Sequence, residues 1–104
     1  MSIQKDDLSD VFVTGGGNLE QIVYHTQYDD PDTGPHGFAV AVVRPYGEGH
    51  RRRIAMRWCD QPGRKLGFPQ SSARAAWFEV PLWLESAILK AVAEQLAKEI
   101  SEEG

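Results

Sequence analysis

The sequence predicts an α+β fold, a curved antiparallel β-sheet of four to five strands with a C-terminal α-helix packed on one face. Three observations predict it. Short stretches of two-residue alternation recur through the first four-fifths of the chain, rich in β-branched and aromatic residues. Turns dense in Pro, Gly and Asp separate them. After Pro81 the apolar spacing changes to that of a helix and stays so to about Ile100.

Residues 1–18 read as a flexible N-terminal arm with a short strand candidate. Lys5, Asp6, Asp7, Ser9 and Asp10 dominate its start, and Val11-Phe12-Val13-Thr14 is the candidate, cut off by Gly15-Gly16-Gly17. No Gly-Lys-Ser/Thr follows these glycines, so a phosphate-binding Walker loop is excluded. Residues 19–104 read as a single domain, since 104 residues are one domain's worth.

The first long strand spans residues 20–28. Strict alternation puts Ile22, Tyr24, Thr26 and Tyr28 on one face and Val23, His25 and Gln27 on the other. The turn that follows holds Asp29, Asp30, Pro31, Asp32, Gly34, Pro35 and Gly37, and the apolar residues from Phe38 onward lack the later oxygen ligands of a calcium loop. A second strand runs from Phe38 to Arg44. Pro45, Gly47 and Gly49 turn it back, as an antiparallel hairpin, into Arg51-Arg52-Arg53-Ile54-Ala55-Met56-Arg57-Trp58. Ile54, Met56 and Trp58 share a core face of that strand; Arg53, Ala55 and Arg57 share a cationic one. An irregular basic stretch leads to a last short strand, where Phe78 and Val80 face one way and Trp77 and Glu79 the other. Pro81 suits the first helical position. Leu84, Ile88, Ala91, Val92, Leu96 and Ile100 form the helix stripe, and Leu82, Leu89 and Ala93 widen it enough to pack on a second copy. One helix on one sheet face leaves the other face open to solvent.

Charge is segregated. Residues 1–43 carry Lys5 against seven acidic residues, residues 44–74 carry eight basic residues against Glu48 and Asp60, and residues 75–104 carry Lys90 and Lys98 against six glutamates. The formal net charge of -4 speaks against a generally basic nucleic-acid binder, while the basic middle third calls for an anionic partner at one surface.

Chemistry finds no foothold. His25, His36 and His50 have no metal-ligand spacing, Cys59 is the single cysteine, and no nucleophile sits beside a base in a recognisable motif. The reading is therefore not an enzyme, with no cofactor and no metal. A polar N-terminus without an apolar core segment, and no long apolar run, point to a cytoplasmic protein with no membrane partner.

Cations interleaved with aromatic rings are what single-stranded nucleic acid needs, because the cations follow the phosphates and the rings stack the bases. The expected contacts are Arg44, Arg51, Arg53, Arg57, Arg64, Lys65 and Arg74 to phosphate, with Tyr46 and Trp77 as stacking platforms. The alternative is a protein-interaction or regulatory module using the same basic face against an acidic protein; a ribonuclease toxin built on Arg, Lys and His stands third.

The Trp-ending third strand, residues 54–58, and the run Pro62-Gly63-Arg64-Lys65-Leu66-Gly67 ahead of the last strand and helix resemble the positive-cofactor-four family of transcriptional coactivators. The similarity covers roughly residues 20–100. It implies a four-stranded curved sheet followed by a helix, a homodimer formed through that helix, and binding of single-stranded DNA, ahead of RNA, without strong sequence preference. Arg64 and Lys65 would contact the DNA backbone. The implied role is that of an accessory factor in transcription or DNA metabolism.

Overall fold

The computed structural model describes residues 11–32, 34–59, 69–71 and 74–103. After a 3-10 turn at Thr14–Gly16 come β1 (Asn18–Asp30), β2 (Gly34–Arg44), β3 (Arg53–Trp58), β4 (Gln70–Ser71), β5 (Arg74–Ala75) and β6 (Phe78–Glu79). A second 3-10 turn, Leu82–Leu84, opens into α1 (Glu85–Glu103). β1, β2, β3 and β6 form one antiparallel sheet in that order, and β4 and β5 pair separately. The expected α+β fold with an antiparallel sheet and a C-terminal helix is present.

Both faces of the sheet are covered, and here the structure departs from the expected open face. On one side Val40, Ile54, Val80 and Val92 make a core, with Val23, Tyr24, Phe38, Val42, Met56, Leu84 and Ile88 packed around it. This is the face α1 crosses. On the other side Ala39, Ala41, Val43, Ala55 and Cys59 pack against Val11, Val13 and Trp77, flanked by Leu19, Ile22 and Ala75. Three fully buried alanines make that face flat. A flat face lets a second layer of backbone approach closely, and burial of Val11, Val13 and Trp77 there supplies the apolar contact that holds it.

That second layer is tied by backbone bonds. Phe12 N–H donates to Ala75 O at 2.7 Å and Trp77 N–H to Phe12 O at 3.0 Å, which makes a parallel bridge between Phe12 and Ala76. Val11 and Val13, given by sequence to the short strand candidate of the arm, are therefore core residues.

The alternation expected for β1 is also broken. The register steps from Leu19↔Val43 to Gln21↔Val42 and from Ile22↔Ala41 to Tyr24↔Val40. Glu20 and Val23 are thus extra residues on β1, each a β-bulge. Beyond the second bulge the facing is reversed, so Ile22 packs in one core and Tyr24 in the other. The two were expected to share a face.

Candidate nucleic-acid interface

The hairpin between β2 and β3 gathers the arginines at one end of the sheet. The Arg44 carbonyl accepts from Gly47 N–H at 3.2 Å, closing a tight turn over Pro45 and Tyr46. Tyr46 has φ 65°, a left-handed conformation that a tyrosine adopts only under constraint. Its N–H donates to Thr14 O at 2.9 Å, so the turn of residues 14–16 holds it. The Gly17 α-carbon lies against the Arg44 carbonyl, where an added β-carbon would sit 2.0 Å from the oxygen. The Tyr46 ring projects from this support, 60% exposed, with the His50 ring tilted against it at 5.5 Å.

Glu20, the first bulge residue, is aimed at the arginines. Its carboxylate accepts from Arg44 Nε at 3.3 Å on one oxygen and from Arg52 Nε at 2.9 Å on the other. The Arg52 hydrogen bond, then that of Arg44, holds the Glu20 carboxyl below its ordinary value of 4.5. Two guanidinium groups converging on one anionic group is the arrangement that also fits a phosphate. Arg51 is exposed beside them.

The expected cationic stripe along the face of β3 does not form. Arg57 is 3% exposed. Its Nη1 donates to Pro69 O at 3.2 Å and to Ala76 O, which fastens the second layer to the sheet. Because both faces of β3 are covered, alternation could not send Arg57 to solvent. Arg53 is partly exposed, but its Nη2 donates to Val80 O at 2.6 Å and its Nε pairs with Glu85 at 3.5 Å. Trp77 is 4% exposed and offers no ring to a base. Its burial follows from the same cause. Arg64 and Lys65 lie outside the described residues, as does the side chain of Arg74. Of the nine expected site residues, Arg44, Tyr46 and Arg51 thus stand together at the hairpin, and Arg53 borders them.

Comparison with protein-family models, with curated proteins and with solved structures returns no match.

Sequence reasoning missed Arg52, Glu20 and His50. The run Arg51-Arg52-Arg53 just before the strand was the available signal for Arg52. Nothing local marks Glu20, because its role depends on a bulge. Among the described residues no group of three His, Cys, Asp or Glu side chains is placed to hold a metal ion, and no helix is long and apolar enough to cross a membrane.

Proposed function

We propose that this chain binds single-stranded nucleic acid at the hairpin end of its sheet, without catalysis and without strong sequence preference. The observation that carries this reading is the convergence of Arg44 and Arg52 on one carboxylate, with Arg51 exposed beside them and the Tyr46 ring displayed at the same end. A phosphate takes the place of the Glu20 carboxylate, and Tyr46 stacks an unpaired base; such stacking contributes roughly 1–3 kcal/mol per base. DNA is placed ahead of RNA on the resemblance of residues 54–67 to the positive-cofactor-four family.

The same reading includes a homodimer through α1. Leu82, Ser86, Leu89, Ala93, Leu96 and Ile100 follow one another at steps of four and three, the spacing of a seam between two helices. Leu82, Leu89, Leu96 and Ile100 remain exposed, while the neighbouring stripe of Ile88 and Val92 packs on the chain's own sheet. Each copy's helix would thus serve one sheet and one partner.

Fluorescence anisotropy of a labelled oligo-dT of about 20 nucleotides, titrated at several salt concentrations, tests the reading. Saturable binding that weakens with salt, and weakens further in Arg51→Ala/Arg52→Ala, supports it. No binding at low salt removes it and leaves the arginine end to an acidic protein. Sedimentation that finds only monomer at micromolar concentration removes the dimer.

A further inference from the structure

The far end of the sheet has opposite chemistry. A groove of about 620 Å³ opens between α1 and the strands at this end of the covered face. The cross-strand row Thr26, Phe38 and Trp58, with Tyr24 and Met56 from the next row, forms its apolar floor. Phe38 and Trp58 meet edge to face at 4.9 Å. Asp29 and Asp30 at the end of β1 and Glu99 of α1 line its wall, and the alternation of β1 puts Asp30 on the face of Thr26 and Phe38. Among the described residues no Lys or Arg lines it, and the His36 ring packs edge-on against Trp58 at 5.5 Å.

Glu99 is held in place for a further donor. Tyr24 OH donates to its Oε2 at 2.5 Å, and Gln95 Nε2 donates to the same oxygen at 3.0 Å. The second oxygen, Oε1, has no partner among the described residues. The Tyr24 hydrogen bond, foremost, keeps the Glu99 carboxyl below its ordinary value of 4.5, so it is ionised at neutral pH.

These features select a class of ligand. Aromatic faces attract a cation through their quadrupole, and carboxylates at the rim add to that attraction. A phosphate is repelled. A metal ion is unsuited, since the described carboxylates form no group of three that could hold one. A planar guanidinium stacks on a ring and pairs with a carboxylate together, which an ammonium does less well. The volume exceeds that of one such side chain, and a groove open along its length accepts a side chain still attached to its polypeptide.

We propose that this groove docks an arginine-bearing segment of a partner protein, with the guanidinium over the Phe38–Trp58 floor and against Glu99. The site lies at the other end of β2 from the arginine hairpin, so it operates whether or not that hairpin binds nucleic acid.

Nuclear magnetic resonance of the Trp58 indole N–H, assigned with Trp58→Phe, tests the proposal using the peptide acetyl-Gly-Arg-Gly-amide. The expected result is a saturable shift that the citrulline peptide, equal in shape and uncharged, fails to produce. Glu99→Gln weakens binding about threefold to fivefold. An equal response to the citrulline peptide, or no response to the arginine peptide at millimolar concentration, overturns the proposal. A Trp58 shift on concentrating the protein alone that is lost in Arg51→Ala/Arg52→Ala also overturns it, because the occupant is then a second copy. The citrulline comparison needs no variant and so does not depend on any variant folding.

Discussion

The Tyr46 ring lies on the bare α-carbon of Gly15: a β-carbon built there would be 2.0 Å from Tyr46 Cδ1. Gly15 also has φ 67°, so it supplies both the backbone turn and the space. Gly16 has φ 72° with nothing within 4 Å of an added β-carbon. Gly15→Ala and Gly16→Ala therefore carry a similar backbone strain of about 1 kcal/mol, but only Gly15→Ala displaces the ring. We expect both to lower the urea midpoint, and only Gly15→Ala to weaken oligo-dT binding, by about fivefold or more if stacking is lost. Equal binding losses would detach Tyr46 from the interface.

Glu20 competes with phosphate for Arg44 and Arg52. Glu20→Gln removes that competitor without changing the shape of the bulge residue. Oligonucleotide affinity should rise at low salt, because no ion pair has to be broken to seat the phosphate, while the slope of log affinity on log salt stays near the parent's, since the same phosphates are neutralised. Loss of both arginines in Arg44→Ala/Arg52→Ala should lower that slope by about 1.4 for two single-strand phosphates, and an unchanged slope there would place the two arginines outside the contact.

Arg57 should matter for stability and not for binding. It is buried and hydrogen-bonded to the carbonyls of Pro69 and Ala76. Arg57→Ala takes away the charged donor and leaves the Ala76 carbonyl without one, while Pro69 O keeps the Ala76 N–H, at a cost of about 3 kcal/mol. Urea unfolding measures it. Oligonucleotide affinity of the folded variant should stay within twofold of the parent, about the scatter of such titrations, whereas Arg51→Ala should show the reverse pattern.

Trp77 fills the core on the flat face of the sheet, and its indole N–H has no partner among the described residues. Trp77→Ala should cost about 3–5 kcal/mol. Trp77→Phe keeps most of the volume and removes the unpaired donor, so it should cost only about 1–2 kcal/mol. Thermal unfolding of the two variants side by side checks the ordering.

Acid should destabilise the fold in two stages. Burial lowers the His25 pKa from its ordinary value of 6.5, so the unfolded chain takes up the proton first. Stability is full above about pH 6.5 and falls as pH drops from there through the lowered folded value. Glu20 and Glu99, both held below 4.5, lose their contribution at lower pH, as they protonate. Urea midpoints should decline between about pH 7 and 5.5 in the parent and stay flatter there in His25→Gln.

The strands β1 to β3, their hairpin order and the terminal helix were legible because each is written in local spacing. Ile54 and Val80 went to the core as their alternation implies. What alternation cannot report is a covered second face. Ala39, Ala41 and Ala55 look like a quiet solvent side in sequence, yet their smallness is what admits Val11, Val13 and Trp77. Hence Arg57 and Trp77 were placed outside when they are inside. Counting by two also cannot see an added residue, so the bulges at Glu20 and Val23 hid both the reversed facing of Tyr24 and the carboxylate that joins Arg44 to Arg52. The tight turn at Pro45 and Tyr46 was visible as a turn, but its link to Thr14 spans a sequence distance no motif encodes.

β1 is the outermost strand of the four-stranded sheet, thirteen residues long, with β2 as its one ladder partner among the described residues. A straight strand of that length is a template for stacking chain upon chain into fibrils. The irregularities at Glu20 and Val23 interrupt the even spacing of its outward N–H and C=O groups, and Glu20 adds an ionised side chain there. A foreign strand laid along the stretch before residue 24 loses its hydrogen-bond rhythm after a few residues. The cost of that guard is a weaker β1 ladder at its hairpin end, and the even run from Tyr24 to Asp30 is left as the part of the edge that a foreign strand could still pair with.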